Sequence, residues 1–195
     1  AWFEKLLIRV GLPEKLSEAV IDWQDADDET IGAMGAESNY YQGLPQGYLP
    51  SNSKFHSVEE LKLVRGFEGQ KYLQIANYVS AAPASDSKVN INTAPAMVLA
   101  SLDPKLDVNA VEQVLQQRQA KLEHFSNISD LWVIEPFTQV NPDIRNEMNN
   151  LLGVQSSYFK AKIEVLLSER KRQFSSDLVR KDKTVYVAYR SMAPF

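Results

Sequence analysis

An α+β fold is predicted by two observations along the 195-residue chain. Up to about residue 153, apolar side chains recur at three- and four-residue spacing, which gathers them on one face of a helix. After Gly153 the period drops to two, the signature of strands with one face packed and one in water. A large, mostly helical domain, residues 1–154, is therefore expected to precede an antiparallel strand unit, residues 155–195. A composition that is 44% hydrophobic and 24% charged can bury a core of that size and excludes a disordered or fibrous chain.

The chain opens inside an amphipathic pattern, with Trp2, Phe3, Leu6, Leu7 and Val10 at helical spacing, so a fragment of a longer protein is expected. Gly11 ends that helix. Pro13 suits the first turn of a second, where Leu16, Val20 and Trp23 share a face. Residues 32–53, rich in Gly, Pro, Ser and Asn, read as a long ordered loop that Tyr40, Tyr41, Leu44, Tyr48 and Leu49 can pin to a core. Three similar helix starts follow, at 57–67, 93–103 and 127–137. Each opens on a capping Ser, Thr or Asn and places apolar residues at matched offsets: Leu61, Met97 and Leu131, then Val64, Ala100 and Ile134. Further helices are expected over 70–79, 109–121 and 142–152.

In "YFKAKIEVLL", Phe159, Ala161, Ile163, Val165 and Leu167 alternate with Lys160, Lys162 and Glu164. "SERKR" and "KDK" turn the chain twice, which yields a three-stranded meander. Such a sheet buries little alone and must pack on the helices or accept further segments.

Asp22, Asp25, Asp27, Asp28, Glu29 and Glu37 crowd the stretch Ile21 to Tyr41, while no lysine or arginine lies between Lys15 and Lys54. Solvent, a distant basic surface or a cation must relieve them. Calcium takes six to eight oxygens and suits closely spaced acids on a loop. An EF-hand counted from Asp25 fails, because Thr30 stands where its glycine belongs and Ala36 occupies the twelfth position. A calcium loop of another type remains, over 22–37, with Asp22, Asp25, Asp27 and Glu37 as side-chain ligands and Glu29, Asn39 and Asn52 in reserve. The alternative is a solvated acidic face. Asp22, at a helix C-terminus, opposes the helix dipole unless something positive lies beside it.

Residues 88–118 resemble the helix-hairpin-helix unit of DNA-binding proteins, in which hairpin amides hold phosphate. Here the hairpin "LDPKLD" carries Asp103 and Asp107, has no glycine and lacks a basic stripe, so nucleic-acid binding is the lesser alternative. Catalytic signatures are missing. His56 and His124 are the two histidines, neither in an H-E-x-x-H nor beside a G-x-S-x-G. The absence of cysteine excludes disulfides, thiolate metal sites and a cysteine nucleophile. No apolar run approaches the roughly 20 residues of a membrane-spanning helix.

"IDWQDADDE", "GAESNYY", "SVEELKLVRGF", "KVNINTAPAMVL" and "SSYFKAKIEVLL", in this order, resemble the general secretion pathway protein K family, minor pseudopilins of the bacterial type II secretion system. The resemblance implies a helical domain of helix-hairpin-helix or SAM-like units inserted in a pilin-type antiparallel sheet, with the amino-terminal pilin helix missing from this chain. It also implies a protein held in the bacterial inner membrane by that helix, with its body in the periplasm. Its partners would be the I- and J-class minor pseudopilins and the major pseudopilin, at the tip of a pseudopilus whose assembly it starts or limits. No enzymatic activity is implied. Family members bind calcium, and Asp22, Asp25, Asp27 and Glu37 are the residues onto which that property is carried here.

Overall fold

The computed structural model describes residues 2–82 and 87–192. The last three residues of the expected strand unit lie outside that range. The helices and the strands fall in the predicted order, and the helical part holds two hydrophobic clusters.

The first cluster gathers helix α1 (Trp2–Arg9), α2 (Leu16–Asp22), α3 (Ser38–Gln42), a 3-10 turn (Val58–Leu63) and α4 (Gln70–Ile75). Leu7, Leu16, Tyr41, Val64, Phe67 and Ile75 are fully buried in it. Gly11, at φ +79°, closes α1 in the left-handed conformation and lets the Leu12 amide reach back to the Leu7 carbonyl at 2.8 Å. Helix α3 falls inside the segment expected to be loop. Its five residues are too few for periodicity to reveal, and burial of Tyr41 holds it. The start at Ser57 forms a 3-10 turn instead of an α-helix, with the Glu60 carboxylate accepting the Ser57 amide at 2.9 Å.

The second cluster is built from β1 (Val89–Asn90), α5 (Ala96–Ala100), α6 (Val108–Ala120), α7 (Ser129–Trp132), a 3-10 turn (Phe137–Gln139), α8 (Pro142–Met148) and β2 (Leu152–Gly153). Ile91, Leu99, Val111, Leu131, Phe137 and Leu152 fill it. β1 and β2 pair in parallel, Val89 opposite Leu152. The Asn92 side chain accepts the Phe125 amide at 2.7 Å and donates to the carbonyls of Phe125 and Val154, each at 3.1 Å. The acids of the hairpin have local work. Asp107 caps α6 by accepting the Ala110 amide, and Asp103 accepts the amides of Lys105 and Asn141.

α1 joins the two clusters. Trp2 Nε1 donates to Ser101 Oγ at 2.8 Å, Lys5 Nζ to the Leu102 carbonyl at 2.8 Å, and Arg9 Nη2 to the carbonyls of Asp103 and Leu106.

Strands β3 (Tyr158–Leu167), β4 (Arg170–Lys181) and β5 (Thr184–Ser191) form the antiparallel meander in that order. Phe159 stands opposite Leu178, Ile163 opposite Phe174, and Leu178 opposite Val187, so these side chains share one face. The other face carries Tyr158, Lys160, Lys162, Ser175 and Asp177. It turns toward the helical body across a cleft of about 920 Å³ also lined by His56, Glu59, Lys62 and Tyr72. The sheet thus presents its polar face to the helices and leaves its apolar face open, the reverse of an ordinary sheet packed on a helical layer.

Candidate metal centre

Two elements bring acids together from opposite ends of the acidic loop. Helix α2 ends at Asp22, the chain turns through Asp25, and Glu37 sits immediately before α3. Ligand oxygens of Asp22, Asp25 and Glu37 all lie within 4.8 Å of one another. Asp22 is fully buried, and Glu37 is only 3% exposed.

The hydrogen bonding around these acids is incomplete. Both Asp22 oxygens accept the Ile31 amide at 3.2 Å. Asp25 Oδ1 and both Glu37 oxygens are buried without a hydrogen-bond partner. Buried carboxylate oxygens without donors are costly, and like charges this close repel. The protonation equilibria carry both effects. Burial, then the charges of Asp22, Asp25, Asp28 and Asp27, push Glu37 up to about 7. Burial also raises Asp22 and Asp25, with neighbouring carboxylates adding to it. A cation among these groups would relieve every one of these penalties at once. The donors are all oxygen, which suits a hard ion and gives soft-metal chemistry nothing to hold.

The other acids of the stretch do different work. Asp27 is exposed, and its Oδ1 accepts the Glu29 amide at 2.9 Å; it does not converge with the other three, although its charge reaches all of them. Asp28 Oδ1 accepts the Ser38 amide at 3.1 Å and so ties the loop to α3. Glu29, Asn39 and Asn52 are exposed.

Two residues outside the predicted set shape the site. Gly35 lies so close to Asp22 that a Cβ built there would overlap Asp22 Oδ2 and the Ile31 carbonyl oxygen. Arg65 reaches the loop from the turn after the first 3-10 segment and donates Nη1 to the Gly35 carbonyl at 2.8 Å. Neither carries a signal in sequence, because Gly35 is one of several loop glycines and Arg65 lies 30 residues downstream.

Comparison with known proteins gives this arrangement a context. Two family models described as "Type II secretion system (T2SS), protein K" match the chain, one over residues 1–84 and the other over residues 89–155. The chain belongs to the type II secretion system protein K family. The two matched ranges correspond to the two hydrophobic clusters, so the protein K signature here is that of the helical body. Among relatives, type II secretion system protein K of Pseudomonas aeruginosa is 32% identical over 196 residues, covering 97% of this chain and 56% of the relative. That of Aeromonas hydrophila is 30% identical over 170 residues, covering 85% and 50%. The chain thus spans about half the length of the curated relatives it matches. The fold is shared with a chain in the crystal structure of the GspK-GspI-GspJ complex from the enterotoxigenic Escherichia coli type 2 secretion system. The TM-score is 0.86 at 20% identity, covering 100% of this chain and 69% of that one.

Proposed function

We propose that this chain is the helical body and part of the sheet of a minor pseudopilin, one that joins I- and J-class partners at the tip of the type II secretion pseudopilus. There it starts or limits assembly of the pseudopilus for protein export. Its role is structural, not catalytic. The observation that carries the reading is the open sheet face: Phe159, Ile163, Val165, Val185 and Val187 lie on it, between 42% and 56% exposed. A three-stranded sheet with such a face in water calls for a covering element. A pilin helix of the kind the family resemblance implies would supply one, and would hold the protein in the inner membrane with this body in the periplasm. No described helix is itself long and apolar enough to cross a membrane.

In the same reading, Asp22, Asp25 and Glu37 hold a structural calcium ion and Asp27 adds charge to the site. The ion supplies the positive charge that the loop lacks and fixes the start of α3 against the end of α2. A helix-hairpin-helix role in nucleic-acid binding fits less well. The Lys105 amide, which would face a phosphate, is bonded to Asp103, and Arg9 is spent on the hairpin carbonyls.

The test is reconstitution of the full-length protein in detergent with its I- and J-class partners, with calcium and with chelator. A ternary complex together with a calcium-specific rise in melting temperature is expected. Separate elution of all three proteins under both conditions would refute the assembly reading, and coincident melts would refute the calcium reading.

A further inference from the structure

Oδ1 of Asp25 and both oxygens of Glu37 are buried without donors, so something other than their hydrogen bonds must hold them convergent with Asp22. Asp22 is fixed by α2 and by the Ile31 amide. Glu37 lacks such support, since both its oxygens are unpartnered. Its position is set by the backbone on either side of it.

Arg65 touches that segment on both sides of Glu37. Nη1 donates to the Gly35 carbonyl at 2.8 Å, two residues before Glu37. The guanidinium also lies over the Tyr40 ring, 4.8 Å from its centroid, three residues after Glu37. A third link is the Arg65 amide, which donates to the Tyr41 hydroxyl at 3.2 Å. Tyr41 is completely buried and packs edge-on against Trp23, the residue next to Asp22, at 5.2 Å. One half-buried residue thus spans the segment that carries Glu37 and, through its amide, is tied to the buried Tyr41 that packs on Trp23.

We propose that Arg65 is the positioning residue of the carboxylate centre, holding residues 35 to 40 so that Glu37 meets Asp22 and Asp25. The inference rests on the calcium reading. Charge and geometry make opposite demands here. As a nearby cation, Arg65 repels calcium, so by charge alone its removal tightens binding. As a clamp, it preorganises the site, so its removal weakens binding. Lysine keeps the charge, yet its single ammonium has no planar fork to donate to a carbonyl while lying flat over a ring.

The experiment compares wild type, Arg65→Lys and Arg65→Met. Calcium affinity is measured by chelator competition, and terbium luminescence sensitised through Trp23 is followed in parallel, at a temperature where all three are folded by circular dichroism. Both variants are expected to lose affinity roughly 10- to 100-fold, as for other residues that orient metal ligands. Their calcium-bound melting temperatures should fall more than their metal-free ones. Unchanged affinity in Arg65→Lys, or tighter binding in Arg65→Met, overturns the inference, as do equal losses of melting temperature with and without calcium. A wild type that binds no calcium sinks the metal reading itself, a result distinct from all of these.

Discussion

Replacing Glu37 by glutamine should stabilise the metal-free protein at high pH and remove the stabilisation that calcium gives. In the fold Glu37 loses its proton near pH 7, against 4.5 for an ordinary glutamate, because it is buried among acids. A carboxyl with a raised folded-state value favours the fold when protonated. Its penalty is absent below about pH 4.5, grows between there and pH 7, and is constant above. The difference corresponds to about 3 kcal/mol at pH 8. For a chain of this size that is a shift of roughly 6–12 °C in melting temperature. Melts in chelator at pH 4.5 and pH 8, on wild type and Glu37→Gln, measure it. The variant should match wild type at pH 4.5 and exceed it at pH 8. Calcium should then raise the wild type selectively, by about 2.7 kcal/mol at a hundredfold excess over Kd. A Glu37→Gln protein that melts with or below the wild type in chelator at pH 8 would refute the picture of unrelieved, buried like charges.

Other changes separate the roles described above. Asp25→Asn should weaken calcium binding far more than Asp27→Asn, since Asp25 Oδ1 is buried and unpartnered while Asp27 faces solvent; equal effects in a chelator competition would argue against the convergent trio. Asn92→Ala strips partners from three backbone groups and should cost on the order of 2–4 kcal/mol in urea unfolding. A loss under 1 kcal/mol would show that water replaces that side chain at little cost. Ile163→Lys, at a site 45% exposed, should leave the melt of this chain nearly unchanged yet abolish assembly of the full-length protein. Intact assembly would mean that the apolar sheet face is not the covered one.

The alternation in "YFKAKIEVLL" exposed the strand and the sides of its faces, because period two is a local property of the chain. Which face meets the helices was not legible. The apolar row suggests a core, but the structure turns Lys160 and Asp177 toward the helical body and leaves Phe159 and Ile163 open. The acidic loop announced itself through composition, since so many acids without a nearby lysine or arginine are visible by inspection. Spacing could not tell Asp27, whose carboxylate caps its own loop, from Asp25, which turns inward. Arg65 escaped entirely because its contacts are made by a guanidinium with a carbonyl and a ring, and neither partner type marks a sequence. The short β1–β2 pairing was hidden too, as two-residue strands have no period.

The grip of α1 on the turn after α5 has a consequence for the order of events when the chain first folds. Trp2 meets Ser101, and Arg9 meets Leu106, about a hundred positions apart along the polymer. The buried members of each hydrophobic cluster, by contrast, come from one stretch of chain, Leu6 to Ile75 for the first and Ile91 to Leu152 for the second. Local associations close small loops and form readily, whereas distant ones carry the entropy of a large loop and wait. On a chain emerging amino-terminus first, the first cluster can condense while the second is still unmade. Trp2, Lys5 and Arg9 stay unlatched until the residues around 100 arrive, so the seam between the halves sets only after the first half has had time to condense alone.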